Sequence, residues 1–417
     1  MKKKKFDFNF RLILTSKTIS IFGGNILGFA MILFLVDFTQ SAALFGFISA
    51  ISQIPTLFLT PFAGMIADRM DKKKLIILFD ILTAISNFYF LWLLMTESYT
   101  ILNITILRMI KMSIMVFART VFNASVPRVV EEDQLIAANG ALQSIGAVGF
   151  IGGSVVGGIL FDILGIQTIA FASGTLFLVS AGLSMLIKIP RVHIEAVGGM
   201  LQTVKSDMIE SFTFLKNKKP ALFKITLVDS VLTFLLPPIF TVGLPFIVDV
   251  IFGQPVTLSF GIAAVGMLAG GISARSLEKY LAIRHFPKLI ALLGGTGVFM
   301  IIAFSPLFSE QLIPFWIFNI ALAGLLFMLS LTNASLGAFI QKEIPEHLLG
   351  KVNALFDMIG LITGPLGLIA VGFLIDVVDL PLFFFGTTVI IWLAAACHQI
   401  IIKNYLKNTN TNGADEK

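Results

Sequence analysis

Charge is scarce in this chain, and where the little there is falls decides most of the reading. Only 13% of the 417 residues are charged, where a soluble globular chain carries roughly a quarter. Cysteine is nearly absent. Cys397 stands alone, so neither an internal disulfide nor a thiolate metal cluster is available to the sequence. The four histidines, His193, His285, His347 and His398, are scattered without metal-ligand spacing, and no metal site is expected. There is no phosphate-binding loop, because Gly294-Gly295-Thr296-Gly297 lies in an apolar stretch and lacks the lysine. No serine, histidine and acid fall into a catalytic order either. The reading is of a protein that is not an enzyme and carries no cofactor.

Apolar sequence is what abounds. The chain is 57% hydrophobic, with 41 Phe and 35 Gly and a mean hydropathy of +0.94. Twelve stretches are long enough to cross a bilayer: 12–36, 43–66, 75–95, 101–122, 135–164, 166–187, 223–248, 257–277, 289–307, 313–340, 352–378 and 382–402. The connectors alternate in character. Lys72, Lys73, Lys74, Arg128, Lys188, Arg191, Lys216, Lys218, Lys219, Arg275, Lys279, Arg284, Lys288, Lys342, Lys351, Lys403 and Lys407 fall on one side. The six opposite connectors hold Asp37, Glu97, Glu310 and Asp379, and none of the 30 basic residues. Basic loops stay in the cytoplasm, so both termini are expected inside. The basic, polar start at Lys2–Lys5 and Arg11 leads into a run too long for a cleaved signal. The net charge of +6 is accounted for by anchoring at the cytoplasmic surface, and no nucleic-acid partner is expected.

The chain reads as two halves. An N-terminal six-helix bundle over 1–189 is followed by a cytoplasmic linker over 190–220 with an amphipathic stretch. A C-terminal six-helix bundle spans 221–403, and a polar tail over 404–417 is expected to be disordered. Asn139, Gly146, Gly153, Gly158 and Asp162 recur as Asn353, Gly360, Gly367, Gly372 and Asp376, each 214 residues on. Lys17 and Asp37 recur as Asp229 and Asp249 at an offset of 212. Such matches indicate a parallel duplication. The fold class is therefore an all-α membrane protein, with twelve transmembrane helices in two pseudo-symmetric six-helix bundles that rock about a central site.

The connector after the second span reads Gly64-x-x-x-Asp68-Arg69-x-Asp71-Lys72-Lys73. Here the chain resembles the major facilitator superfamily, whose second-to-third-helix loop has a Gly-x-x-x-Asp-Arg-x-Gly-Arg-Lys pattern. Gly64, Asp68, Arg69, Lys72 and Lys73 match, and Asp71 stands where the pattern has glycine. By resemblance this loop is a conformational switch, with Asp68 docking near Gly350 and Lys351 in one state. Gly149-x-x-x-Gly153-Ser154-x-x-Gly157-Gly158 is similar to the glycine motif of the superfamily's antiporters, with Ser154 in place of proline. Small residues at this spacing also serve plain close packing of helices.

Lys17, Asp80, Arg108, Lys111, Asp229 and Asp357 lie inside apolar spans, where a charge costs about 3 kcal/mol or more unless paired or wet. The resemblance places helices one, four, seven and ten along the cavity, making Asn25, Arg108, Lys111 and Asn319 substrate candidates. Lys17, Asp80, Asp229 and Asp357 become candidates for proton coupling or gating, with a Lys17–Asp229 pair as one gate. Around 68–73, and from Val126-Pro127-Arg128 to Ala138-Asn139-Gly140, the wording is similar to the macrolide-efflux branch of bacterial drug:proton antiporters. That implies a monomer in the bacterial cytoplasmic membrane. It would export amphipathic small molecules against entering protons, with the gradient as sole energy source. The alternatives are a transporter of one metabolite (a siderophore, lysophospholipid or organic anion) and a membrane sensor that transports nothing.

Overall fold

The computed structural model describes residues 8–131, 134–189, 200–305, 307–308 and 312–412. Among them the backbone is helical, with short turns and no strand. The helices are α1 (Phe8–Thr39), α2 (Ala42–Arg69), α3 (Lys72–Met95), α4 (Ile101–Ser125), α5 (Leu135–Leu186) and α6 (Met200–Lys218). Then come α7 (Pro220–Ile251), α8 (Val256–Ser273), α9 (Phe286–Ala303), α10 (Leu312–Glu343), α11 (Glu346–Val377) and α12 (Leu380–Asn412). Eleven of these are long and apolar enough to cross a membrane. The eleven correspond to twelve expected spans because α5 holds two of them. It breaks at Gly165 (φ 71°, ψ 163°), a conformation open essentially to glycine alone. Many large side chains stand exposed on these helices, among them Ile272 at 77%, Ile163 at 70% and Ile320 at 69%. In water such a surface would aggregate; in lipid it is the outer wall.

Two compact units divide the chain. Unit 1 comprises 1–38 and 48–203; unit 2 comprises 39–47 and 204–417. In unit 1, α3 packs on α4 and α5. The two ends of the bundle are tied where Lys188 N–H donates to Asn9 Oδ1 at 2.8 Å. The glycine motif of α5 serves packing onto α1. A Cβ added at Gly153 would fall 2.5 Å from that of Asn25, and one at Gly157 would fall 2.8 Å from the Ile26 carbonyl. In unit 2, α7 packs on α11 and α12, while α8, α9 and α10 pack together and α9 packs on α12. Gly367 of α11 sits against the Phe234 carbonyl and Pro238 of α7. Pro238 has no N–H to give to that carbonyl four residues back, so α11 can seat a glycine against the exposed oxygen. The 214-residue repeat therefore holds in space: Gly153 meets the first helix of its half, and Gly367 the first helix of the other.

Beyond Pro238, α7 continues as two π-turns, Ile239–Gly243 and Ile247–Ile251, with a short α segment between. The start of α2 belongs to unit 2. Asp376 of α11 accepts from Ser41 Oγ at 2.6 Å, Ala42 N–H at 2.9 Å and Ala43 N–H at 3.0 Å. One carboxylate thus satisfies the opening donors of a helix.

The linker's amphipathic stretch and the tail both take helical form, and only the tail departs from the sequence expectation. The linker contains a formed helix, α6, with Ser211 and Leu215 fully buried; its Glu210 pairs with Lys351 of α11 at 2.7 Å. Residues 190–199 of the linker lie outside the described residues. Of the tail expected to be disordered over 404–417, residues 404–412 instead continue α12, and 413–417 lie outside the described residues. Tyr405 O–H donates to Glu343 at 2.6 Å, and Lys219 meets the same carboxylate at 2.7 Å. One acid at the end of α10 thereby gathers α7 and α12.

Candidate functional site

The charged residues inside unit 1 fall into two groups. In the first, α1 brings Lys17, α3 brings Asp80 and α4 brings Phe122 to one cavity of about 20 Å³, which Ser16 and Ser20 also line. Lys17 Nζ sits 4.4 Å from the Phe122 ring centroid, a cation–π contact. Asp80 accepts from Ser180 Oγ of α5 at 2.7 Å. Ser180 in turn lies 2.7 Å from Ser20 Oγ and 3.1 Å from the Ser16 carbonyl, and Ser184 Oγ lies 3.3 Å from Ser16 Oγ. These four serines are buried, and they clamp α1 to the second half of α5. Asp80 stands eight residues past the start of α3, about 12 Å along its axis. Lys17 feels two charges, the Asp80 carboxylate and the Arg119 guanidinium of α4.

The second group is cationic. Lys111 Nζ donates to Asn87 Oδ1 at 2.8 Å, Asn87 Nδ2 to Ser173 Oγ at 3.1 Å, and Ser173 Oγ to the Gly23 carbonyl at 2.8 Å. The chain runs donor to acceptor throughout, fixing the Lys111 ammonium from behind while leaving it protons to donate elsewhere. Arg108 lies one turn away on α4, and its buried Nε has no hydrogen-bond partner among the described residues. Among the described residues of unit 1, no carboxylate acts on either cation.

Other sequence candidates belong to neither group of unit 1. Asp229 is half-buried on α7 in unit 2. Asp357 is exposed on α11. Asn319 is fully buried and its Nδ2 donates to the Phe315 carbonyl at 2.9 Å, while its Oδ1 has no hydrogen-bond partner among the described residues. Asn25 packs against Gly149 and Gly153, and Gly157 and Gly158 are buried in the same helix.

In the loop after α2, Arg69 is exposed and the side chain of Asp68 lies outside the described residues. Lys72 is buried, with Nζ donating to the Ala67 carbonyl. Asp71 caps α3, accepting from Lys73 N–H at 3.1 Å and Lys74 N–H at 3.3 Å. Its φ of −63° needs no glycine, which explains how Asp71 replaces the glycine of the pattern.

Sequence reasoning did not single out Ser16, Ser20, Ser180, Ser184, Asn87, Ser173, Phe122 or Arg119. The four-residue step of Ser16/Ser20 and of Ser180/Ser184 is the one signal that could have paired α1 with α5.

Membrane-length helices duplicated in parallel, with ionisable side chains brought together inside them, define a multi-pass helical membrane protein built on the transporter plan. The chain belongs to the Major Facilitator Superfamily, whose family model matches residues 13–368. Macrolide efflux protein A of Streptococcus pyogenes is 26% identical over 409 residues, covering 96% of this chain and 97% of that one. The multidrug efflux pump Tap of Mycobacterium tuberculosis is 25% identical over 357 residues, covering 82% and 80%. Among solved structures, a bacterial homologue of the iron transporter ferroportin in its inward-facing state superposes with a TM-score of 0.73. It is 16% identical and covers 94% of this chain and 98% of that one. The nucleoside transporter NupG also gives 0.73, at 14% identity with 94% and 99% covered. These likenesses establish the fold.

Proposed function

We propose that this transporter exports amphipathic small molecules such as macrolides from the cytoplasm, driven by protons entering in exchange. It works without a cofactor in a bacterial cytoplasmic membrane, as a monomer with both termini inside. The observation that carries this reading is the placement of Lys17 and Asp80 about one small cavity inside membrane spans. Buried charge at such depth is costly and serves function by default. Near full-length similarity to a macrolide efflux protein supports the substrate class. The test is expression in a bacterial host stripped of its own pumps. Macrolide resistance should rise and should vanish when a protonophore collapses the gradient. Resistance that survives the protonophore, or no change in drug accumulation, counts against the reading; a membrane sensor would move nothing.

A second reading, transport of one anionic metabolite or organic anion, draws on Arg108 and Lys111, on which no carboxylate acts among the described residues of unit 1. Competition separates the two. Anionic amphiphiles should block transport better than cationic ones only if the second reading holds.

A further inference from the structure

Four observations bear on which carboxylate binds the driving proton. First, the cavity between Lys17 and Asp80 is about 20 Å³, room for one water. The two charges line it, yet no direct ion pair joins them. Second, the hydrogen bonds around Asp80 can serve either protonation state without moving a heavy atom. With Asp80 ionised, the Ser180 hydroxyl donates to it across 2.7 Å. With Asp80 protonated, its own O–H donates back to Ser180 Oγ, whose hydrogen turns to the Ser16 carbonyl 3.1 Å away. A hydroxyl can make this exchange because it is both donor and acceptor on a rotatable bond.

Third, Lys17 keeps a partner in both states. When Asp80 is neutral, the Phe122 ring at 4.4 Å still faces the ammonium. Fourth, the remaining charges rule on what the site can hold. Among the described residues, Lys17 from α1 is the charge acting on Asp80, Arg119 from α4 acts on Lys17, and α5 brings the Ser180 hydroxyl. A metal cation entering the cavity would sit beside an ammonium and be repelled. A proton adds to the carboxylate itself.

We infer that Asp80 is the group that binds and releases the driving proton, with Ser180 as its hydrogen-bond switch and Lys17 as its counter-charge. This deepens the proton-coupled reading above and rests on it. On protonation the carboxylate becomes a carboxylic acid, and Lys17 keeps the repulsion of Arg119 without the Asp80 attraction that offset it. That unbalanced pair loosens α1 from α4, which ties the proton to helix movement. Release of the proton restores the attraction.

The experiment uses the full chain in proteoliposomes with radiolabelled erythromycin, a macrolide. Wild type should accumulate it under an imposed pH gradient and not under a sodium gradient. Asp80→Asn should lose gradient-driven accumulation and its pH dependence, yet keep counterflow, the exchange of labelled for unlabelled drug. Asp80→Glu should keep both activities. Driven accumulation surviving in Asp80→Asn overturns the inference, and so does a sodium gradient that replaces protons. Loss of counterflow together with driven transport also overturns it, since Asp80 would then serve folding or drug binding.

A second readout needs no transport by the variant. Infrared difference spectra on acidification should show a protonated-carboxyl stretch in wild type that is missing in Asp80→Asn; an unchanged band contradicts the assignment. Should wild type itself ignore the pH gradient, the proton-coupled reading fails rather than the choice of residue.

Discussion

Single residues in this chain announce themselves when they are charged and hide when they are merely polar. Lys17, Asp80, Arg108 and Lys111 could be read from the sequence because a charge in an apolar run has no cheap reason to be there. Their partners could not. Ser180 is no different on paper from Ser113 or Thr83, whose hydroxyls simply donate to the carbonyl four residues back. Only packing decides which hydroxyl looks across to another helix. Asp71 offers a test at this scale. Its carboxylate caps α3 at a φ that any residue adopts. Asp71→Ala should lower stability by about 1 kcal/mol, while Asp71→Gly, the residue of the family pattern, should cost only a few tenths. Thermal unfolding in detergent reads both. Equal stability of the three would show that the cap is idle.

At the scale of elements, glycines mark where helices touch most closely, though sequence spacing alone cannot say which helix they meet. The offset of 214 residues gave Gly153 and Gly367 as equivalent, and each proves to seat on the first helix of its own half. Gly367→Ala would drive a methyl group into the Phe234 carbonyl, and overpacking of that kind costs about 1–3 kcal/mol. Gly295→Ala, where a Cβ meets nothing within 4 Å, should be neutral or gain up to about 1 kcal/mol in helix propensity. Comparing the two melting temperatures checks the contrast, and a reversed order would contradict the packing. Asp376→Ala removes the cap of α2 and should cost about 1 kcal/mol, with Asp376→Asn recovering part of it. Sequence reading gives the linker helix α6 only as an amphipathic stretch, and the extension of α12 not at all, for a common reason. Both are polar segments, held by contacts distant in sequence: Glu210 with Lys351, and Tyr405 with Glu343.

Across the whole molecule, the strongest message was the one written in the distribution of the few charged residues. Basic connectors on one side and none on the other lead to an expected orientation that can be probed directly. With Cys397 replaced by serine, a cysteine at Gln254 should react with a membrane-impermeant thiol reagent in intact cells. One at Lys74 should react only after the membrane is opened. The reverse pattern would invert the topology.

Phenylalanine follows the same polarity. Phe34, Phe38, Phe90 and Tyr99 form one aromatic cluster in unit 1. Phe252, Phe304, Phe315, Phe318 and Phe384 form another in unit 2. Both gather around acidic or uncharged connectors, packing the ends that carry no basic anchor.

Proton exchange is the central claim, and the most direct test drives it backwards. Purified protein is sealed into vesicles with a pH-sensitive dye in the lumen, no pH gradient is set, and a macrolide gradient alone is imposed. If drug and proton exchange, drug moving down its gradient must carry protons the opposite way, and the lumen pH should shift with a sign that reverses when the drug gradient is reversed. Drug that crosses the membrane while the lumen pH stays flat would contradict proton exchange outright.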